Sequence, residues 1–354
     1  MKFEPACRDC QAEENHHAAE TSRLNRRRFV QTVGAAAVAA SLPRVLSAGE
    51  KETEDAKSPE NLVEKLYHSL SETQRKSIAF PWDYTDERGL LRMHVSNNWH
   101  ITEPKVNSDF FTADQRDIIE ALFFGLYQPD WHANLRKQLQ DDAGGYGKQQ
   151  SIALFGEPGK DKFEFVMTGR HLTIRCDGNS TEHTAFGGPI FYGHAAQGFN
   201  EAADHPGNVY WEQALKANAL YQMLDGKQRD AALIEVQPDE SDVGFRAEGK
   251  QPPGIAVTEL SSDQKEHLQK VLDSLLAPYR TSDQEEALAC LQTQGGLDRC
   301  ALSFYKEGDT GNDGVWDVWR LEGPSFVWHF RGSPHVHVWV NIADSRDVKI
   351  STAG

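Results

Sequence analysis

Two histidines stand one residue apart near the C-terminus, in Ser333-Pro334-His335-Val336-His337-Val338-Trp339-Val340-Asn341. Alternation predicts a β-strand with His335, His337, Trp339 and Asn341 on one face and Val336, Val338 and Val340 on the other. A two-residue step sets the two Cα atoms about 6.5–7 Å apart, so both imidazoles can lean toward one ion. A third ligand has to come from a neighbouring strand. We assign His171, at the start of the second strand of a hairpin. Three imidazoles with an open position suit a divalent transition metal, Cu, Fe or Zn. Such an ion activates water for hydrolysis or, if redox-active, oxygen. Glu157, just before Pro158 in a turn, is the candidate general acid/base, and Arg170 is the candidate anchor for an anionic substrate.

The other histidines carry less. His183, His194 and His205 recur at intervals of eleven in a Gly-rich loop. Coincidence explains the spacing, and only His194 stays a site candidate, because loops often carry function. His329, between Trp328 and Phe330, reads as a packed, hydrogen-bonded core residue, and His94 and His100 as structural or surface. Trp316, Trp319, Trp328 and Trp339 could line a ligand-binding surface, although aromatic strand positions are more often core. Common signatures are missing. Gly159-Lys160 lacks the glycine and hydroxyl residue of a phosphate loop. Asp309-Thr310-Gly311-Asn312-Asp313-Gly314 has the wrong third position for a calcium loop, and a hairpin turn suits it better. There is no Gly-x-Ser-x-Gly and no His-Glu-x-x-His.

The elements that must position the histidines are legible in outline. Ser71-x-x-Gln74, Thr112-x-x-Gln115, Asp225-x-x-Gln228 and Ser261-x-x-Gln264 each have the form of a capping box. Amphipathic helical patterns follow the last three. Phe163 to Cys176 alternates around a Gly-centred turn, and Asp317 to Phe330 matches it in register, Gly169 with Gly323 and Leu172 with Phe326. Both read as antiparallel hairpins with one buried face. Residues 177–209 read as loop. The expected fold is α+β, antiparallel β-hairpins in one or two sheets with amphipathic helices packed outside. The paired caps and hairpins suggest an internal duplication, with halves 61–210 and 211–345 of a single domain, 61–345. No βαβ alternation supports a parallel, doubly wound sheet.

Residues 1–48 read as an address. Asn25-Arg26-Arg27-Arg28-Phe29-Val30 followed by a short alanine-rich apolar run resembles a twin-arginine export signal, with small residues near Val45-Leu46-Ser47-Ala48 for cleavage. Cys7, Cys10, His16 and His17 lie in this leader and are set aside. Residues 49–60 read as a flexible linker. The expected locality is periplasmic or secreted, the expected partner the twin-arginine export machinery, and no stable membrane insertion follows cleavage. Of three remaining cysteines, Cys290 and Cys300 are expected to pair and Cys176 to be a buried thiol. The net charge is −16, and residues 1–48 hold seven Lys/Arg and five Asp/Glu, leaving 30 against 48. Such an acidic chain is no generic nucleic-acid binder.

Together the motifs Leu70 to Arg75, Phe155-Gly156-Glu157-Pro158, Gly169-Arg170-His171-Leu172, Phe191-Tyr192-Gly193 and His335-Val336-His337 resemble, in their order, a bacterial family catalogued as domain of unknown function 3500. In that family pattern the third motif is Gly-His-His-Leu. Arg170 replaces its first histidine, so only His171 carries over. The resemblance implies the architecture and the histidine positions but no reaction. Two functions remain open: a metal-dependent oxidoreductase or hydrolase acting on a small-molecule or cell-envelope substrate, and a non-catalytic metal- or ligand-binding protein of the periplasm.

Overall fold

A computed structural model describes residues 57–201 and 205–353. The arginine cluster, the leader cysteines and histidines, and the linker up to residue 56 lie outside them. The eight described α-helices are α1 (Pro59–Ser69), α2 (Glu72–Ile78), α3 (Ala113–Gly125), α4 (His132–Ala143), α5 (Trp211–Met223), α6 (Gly226–Ala232), α7 (Ser262–Leu276) and α8 (Thr281–Thr293). The first starts inside the stretch read as linker: Ser58 caps it and Pro59 takes its first turn, where a missing N–H costs nothing. No described helix is long and apolar enough to cross a membrane.

All four capping boxes form, including the one ahead of α2. Their glutamines also join the helices in pairs. Gln74 Nε2 donates to Gln115 Oε1 (2.8 Å) and to the Phe110 carbonyl (2.6 Å), and Gln115 Nε2 to the Ser69 carbonyl (3.0 Å). Gln228 and Gln264 repeat the arrangement: Gln228 Nε2 donates to Gln264 Oε1 (3.0 Å) and the Glu259 carbonyl (2.9 Å), and Gln264 Nε2 to the Met223 carbonyl (2.8 Å).

The strands are β1 (Ala79–Phe80), β2 (Thr85–Asp86), β3 (Gly89–Leu90), β4 (His94–Ser96), β5 (Ser151–Gly156), β6 (Phe163–Gly169), β7 (Leu172–Cys176), β8 (Ile190–His194), β9 (Leu233–Ile234), β10 (Ile255–Ala256), β11 (Ala301–Tyr305), β12 (Val318–Gly323), β13 (Phe326–Arg331), β14 (Val336–Ile342) and β15 (Ser351–Ala353). One mixed sheet runs β1-β5-β6-β7-β8-β14-β13-β12-β11-β10, with β9 also on β11. β1 and β9 are parallel to their neighbours, and the rest of that sheet is antiparallel. Both hairpins form in the expected register, Gly169 opposite Leu172 and Gly323 opposite Phe326. The fold is α+β, and it is not a closed barrel.

Counting outward from the central pair Ile190↔Val340, strands β8-β7-β6-β5-β1 mirror β14-β13-β12-β11-β9. The strand β8 at this centre was hidden in the stretch read as loop. Its composition, Ile-Phe-Tyr-Gly-His, is too short and too interrupted by glycine for the period to show.

The sheet's two faces are covered differently. Ile152, Met167, Ile174, Tyr192, Trp328, Val338 and their neighbours meet the helices in one large core. The opposite face, with Phe155, Val166, Phe191, Val327 and Trp339, packs under extended segments that contribute Leu91, Val95 and Ile101 on one side and Val243 on the other. The α-helices therefore lie on one face only, and a 3-10 turn, Leu91–Met93, lies on the other. Trp319, Trp328 and Trp339 are fully buried, so they build core and no aromatic surface. Cys290 and Cys300 are both free thiols, contrary to the expected pairing. Cys290 is set against the Ala185 backbone, whereas Cys300 points to the Gly296 carbonyl; burial pushes each thiol up to about 12.

Candidate metal centre

The tight β6–β7 turn sets the first histidine. His171 takes φ 54°, a left-handed conformation that side chains adopt at a cost of roughly 1–3 kcal/mol unless the surroundings enforce it. Here they do: the His171 N–H donates to the Asn97 carbonyl (3.1 Å), and Arg170 bridges to Asn98. His337 follows from the strand period, on the sheet face away from the helices, and His335 precedes β14 on the same side. Opposite His337 stands Gly193. A Cβ there would lie 2.3 Å from the Val336 carbonyl oxygen and 3.4 Å from His171 Cδ2, so glycine leaves the room the His171 ring occupies.

The three imidazoles converge through Nε2. The separations are 3.1 Å for His171–His335, 2.9 Å for His335–His337 and 3.2 Å for His337–His171. Donors held by one ion at about 2.0–2.1 Å stand roughly 2.9–3.4 Å apart for angles between octahedral and tetrahedral, so the set fits a metal. All three side chains are at most 1% exposed. Burial, with positive charge on Arg331 beside them, holds each ring below the usual histidine range; His335 is pushed down to about 3. The rings are neutral at neutral pH. Among the described residues no fourth His, Cys or carboxylate joins the set.

Each Nδ1 faces an acceptor from a different layer. Asp142 Oδ2, in the last turn of α4, lies 3.0 Å from His171 Nδ1, off the line of an ideal hydrogen bond. The Phe199 carbonyl lies 2.8 Å from His335 Nδ1. Glu240, from the segment over the far face, places both oxygens 3.2 Å from His337 Nδ1, and its Oε1 also accepts from Arg331 (3.2 Å). Asp142 is itself held by Gln138 Nε2 (3.0 Å) and the Ala195 N–H (2.9 Å). Burial raises its carboxyl to about 6, so it is mostly ionised at neutral pH. Phe191 and Phe199 flank the rings at centroid distances of 5.2 Å to His337 and 5.3 Å to His335.

The expected trio is therefore brought together, while the two residues offered for catalysis are separated. Arg170 adjoins the site and its charge acts on His171 and Asp142. Glu157 does not join it. Its side chain is 59% exposed and 3.4 Å from Lys160, at the opposite end of β6, about 20 Å from the His171 turn at 3.3 Å per residue. His194 is no ligand either: Nδ1 accepts from the Val209 N–H (3.1 Å) and Nε2 meets Asp141 (3.1 Å), which ties β8 to the end of α4 beside Asp142. His183 pairs with Asp344 at the surface (2.7 Å). His205 Nδ1 accepts from the Gly207 N–H (3.0 Å). His94 stacks edge-on against Trp99, and His100 meets the Gln149 carbonyl (2.7 Å), both structural as expected. His329 is buried as read, but neither ring nitrogen has a hydrogen-bond partner among the described residues, and burial pushes it down to about 3. Asp142 and Glu240 were not foreseen. An acid at a helix end and one in an irregular segment carry no spacing signal.

The family model described as "Protein of unknown function (DUF3500)" matches residues 51–343, most of the chain, and the chain belongs to that family. No curated protein and no solved structure matches it.

Proposed function

We propose that this family member is an exported metalloprotein whose His171, His335 and His337 hold a divalent Cu, Fe or Zn ion and act with it on a small or cell-envelope substrate. One observation carries the reading. The Nδ1 atoms of His335 and His337 lie within hydrogen-bond reach of oxygen acceptors and His171 Nδ1 lies 3.0 Å from Asp142, an arrangement that favours the ring hydrogen on Nδ1 and turns three Nε2 atoms toward one another within 3.2 Å. In that tautomer the three Nε2 atoms are acceptors with no donor among them, and they repel at buried positions. A cation at their centre removes the conflict.

When bound, such an ion supplies Lewis acidity toward water or a substrate oxygen, or one-electron chemistry if it is Cu or Fe. Asp142, the Phe199 carbonyl and Glu240 fix the tautomers and aim the Nε2 atoms. Arg170, beside the cluster, offers a guanidinium for an anionic substrate group. Phe191 and Phe199 supply apolar walls that lower the local dielectric. Three protein donors leave positions for an outside ligand, which favours turnover over storage; a fourth protein ligand would make the centre a saturated, non-catalytic site. Export rests on the arginine cluster and apolar run of the leader.

Elemental analysis of protein recovered from its native host tests the reading. The expected result is one Zn, Cu or Fe per chain, lost on replacing any of the three histidines by alanine while the circular dichroism spectrum is retained. Metal-free wild-type protein that also fails to take up all three ions in vitro would overturn it.

A further inference from the structure

We propose a second site, for a dianionic phosphate group, at the other end of the sheet. A cavity of about 250 Å³ opens beside the β12–β13 turn, and Arg246, Lys250, Arg299 and Arg346 all line it. The chain as a whole carries −16, so four cations around one small cavity run against its composition.

Their charge is not cancelled locally. Among the described residues Lys250 and Arg299 have no ion-pair partner, and the Arg346 Nε–H meets only the Pro324 carbonyl (3.2 Å). Arg246 pairs with Glu322 (2.5 Å), but that carboxylate is already shared with Arg320 (3.0 Å). Glu248 is the only acid on the lining, so four cations face one carboxylate; adding the adjoining Glu322 and Arg320 makes five against two, an excess of three positive charges either way. Guanidinium forks match phosphate oxygens two at a time, and an excess of this size suits a dianion better than a monocarboxylate.

Backbone features bear on two of the four cations. The Arg299 stem crosses Gly295, where a Cβ would come within 2.5 Å of its Cγ, and Arg346 is tied to the turn itself. The cavity is distinct from the histidine cluster. β14 runs from His337, in that cluster, to Ile342, which pairs with Phe326 just after the cavity's turn, a span of roughly 17 Å. The ligand is either free phosphate or the phosphomonoester end of a larger molecule; both present the same dianion.

Isothermal titration at fixed ionic strength tests this with inorganic phosphate, glycerol phosphate and acetate on the processed protein. Saturable phosphate binding is expected, with acetate weaker. Tighter binding of glycerol phosphate would identify the phosphomonoester as the ligand, and equal or weaker binding the free ion. Arg299→Gln and Lys250→Gln, both at exposed side chains, should each weaken phosphate about tenfold, whereas His335→Ala should leave it unchanged. Absence of phosphate binding, acetate binding as tight as phosphate, or equal affinity in the Arg299→Gln/Lys250→Gln double variant would each overturn the proposal. Loss of phosphate binding in His335→Ala with the two cation variants unaffected would move the anion to the histidine cluster, and overturn it too.

Discussion

Replacing Glu240 by glutamine isolates what the outer partners of the histidines contribute. Glu240 Oε1 accepts from Arg331 and lies, like Oε2, 3.2 Å from His337 Nδ1. Glutamine keeps the shape but has one acceptor oxygen for both donors, and its NH2 would face one of them. Losing such a partner costs about 10–100-fold in metal affinity, or roughly 1.4–2.7 kcal/mol. Glu240 is 16% exposed, so water can replace part of the interaction, and the low end of that range is expected. Asp142→Asn should cost more. That side chain is 0% exposed and also organises Gln138 and the Ala195 N–H. Competition against a chromogenic chelator at pH 7.5 gives both affinities. Metal at a thousand times its Kd stabilises wild type by about 4.1 kcal/mol, so the melting gap between metal-loaded and metal-free protein should shrink by about 1.4 kcal/mol per decade lost. Affinity within twofold of wild type for both variants would refute the claim that these carboxylates set the histidine tautomers.

His329→Leu removes two unpartnered buried nitrogens, so at pH 7.5 stability should hold or rise. Because the folded-state pKa is depressed to about 3, unfolded chains take up the proton first below about pH 6.5, and wild type loses up to about 1.4 kcal/mol per pH unit from this group down to about pH 3. Urea melts at pH 7.5 and 5.5 should therefore show the variant's advantage growing with acid, and a constant difference would contradict the assignment; buried carboxylates shift the other way but cancel in the comparison. Gly193→Ala should destabilise by about 1–3 kcal/mol and lower metal occupancy, since the new Cβ meets the Val336 carbonyl and the His171 ring; unchanged melting and occupancy would show that the start of β14 can shift. Lysine at both Arg26 and Arg27 should trap precursor in the cytoplasm, and processed protein outside the cell in normal amount would show that the leader is not a twin-arginine signal.

What was legible followed from period and spacing. The His335–His337 pair, the two hairpins with their register, and the four capping boxes are local patterns that the backbone enforces wherever they occur. His171 was reachable because a hairpin turn and a strand face together restrict the partners of such a pair. The central strand β8 was not, because Gly193 and the flanking glycines weaken its alternation. The same glycine that hides the strand makes space for the His171 ring. Glu157 failed for a simple geometric reason: a residue in the next turn along the chain stands a whole strand's length away. The carboxylates that do orient the rings come from α4 and from the segment near residue 240, far apart in sequence, and only the packed layers bring them together. Cys290 and Cys300, close in sequence, show the converse, since their side chains are set against different neighbours.

The mirrored strand order also shows why the fold builds one histidine cluster and not two. Counting equally from the Ile190↔Val340 pair, the counterpart of His337 is Gly187 and that of His335 is Ala185. The counterpart of His171, two residues after the turn glycine, is Ser325. The equivalent corner carries no imidazole, and its backbone differs: residues 185–187 form a short 3-10 turn with Phe186 at φ 60°, where the other half has the extended strand β14. Ser325 instead donates through its hydroxyl to the Ala343 carbonyl (2.7 Å) and through its N–H to Gln294 Oε1 (2.7 Å), which closes the corner with neutral hydrogen bonds. At the histidine end, His171 at φ 54°, three converging Nε2 atoms and the buried Asp142 side chain occupy the matching region. Left-handed backbone occurs at both corners, at Phe186 as at His171, so what sets the histidine end apart is the three buried imidazoles converging on one point, the arrangement that the proposed cation would hold.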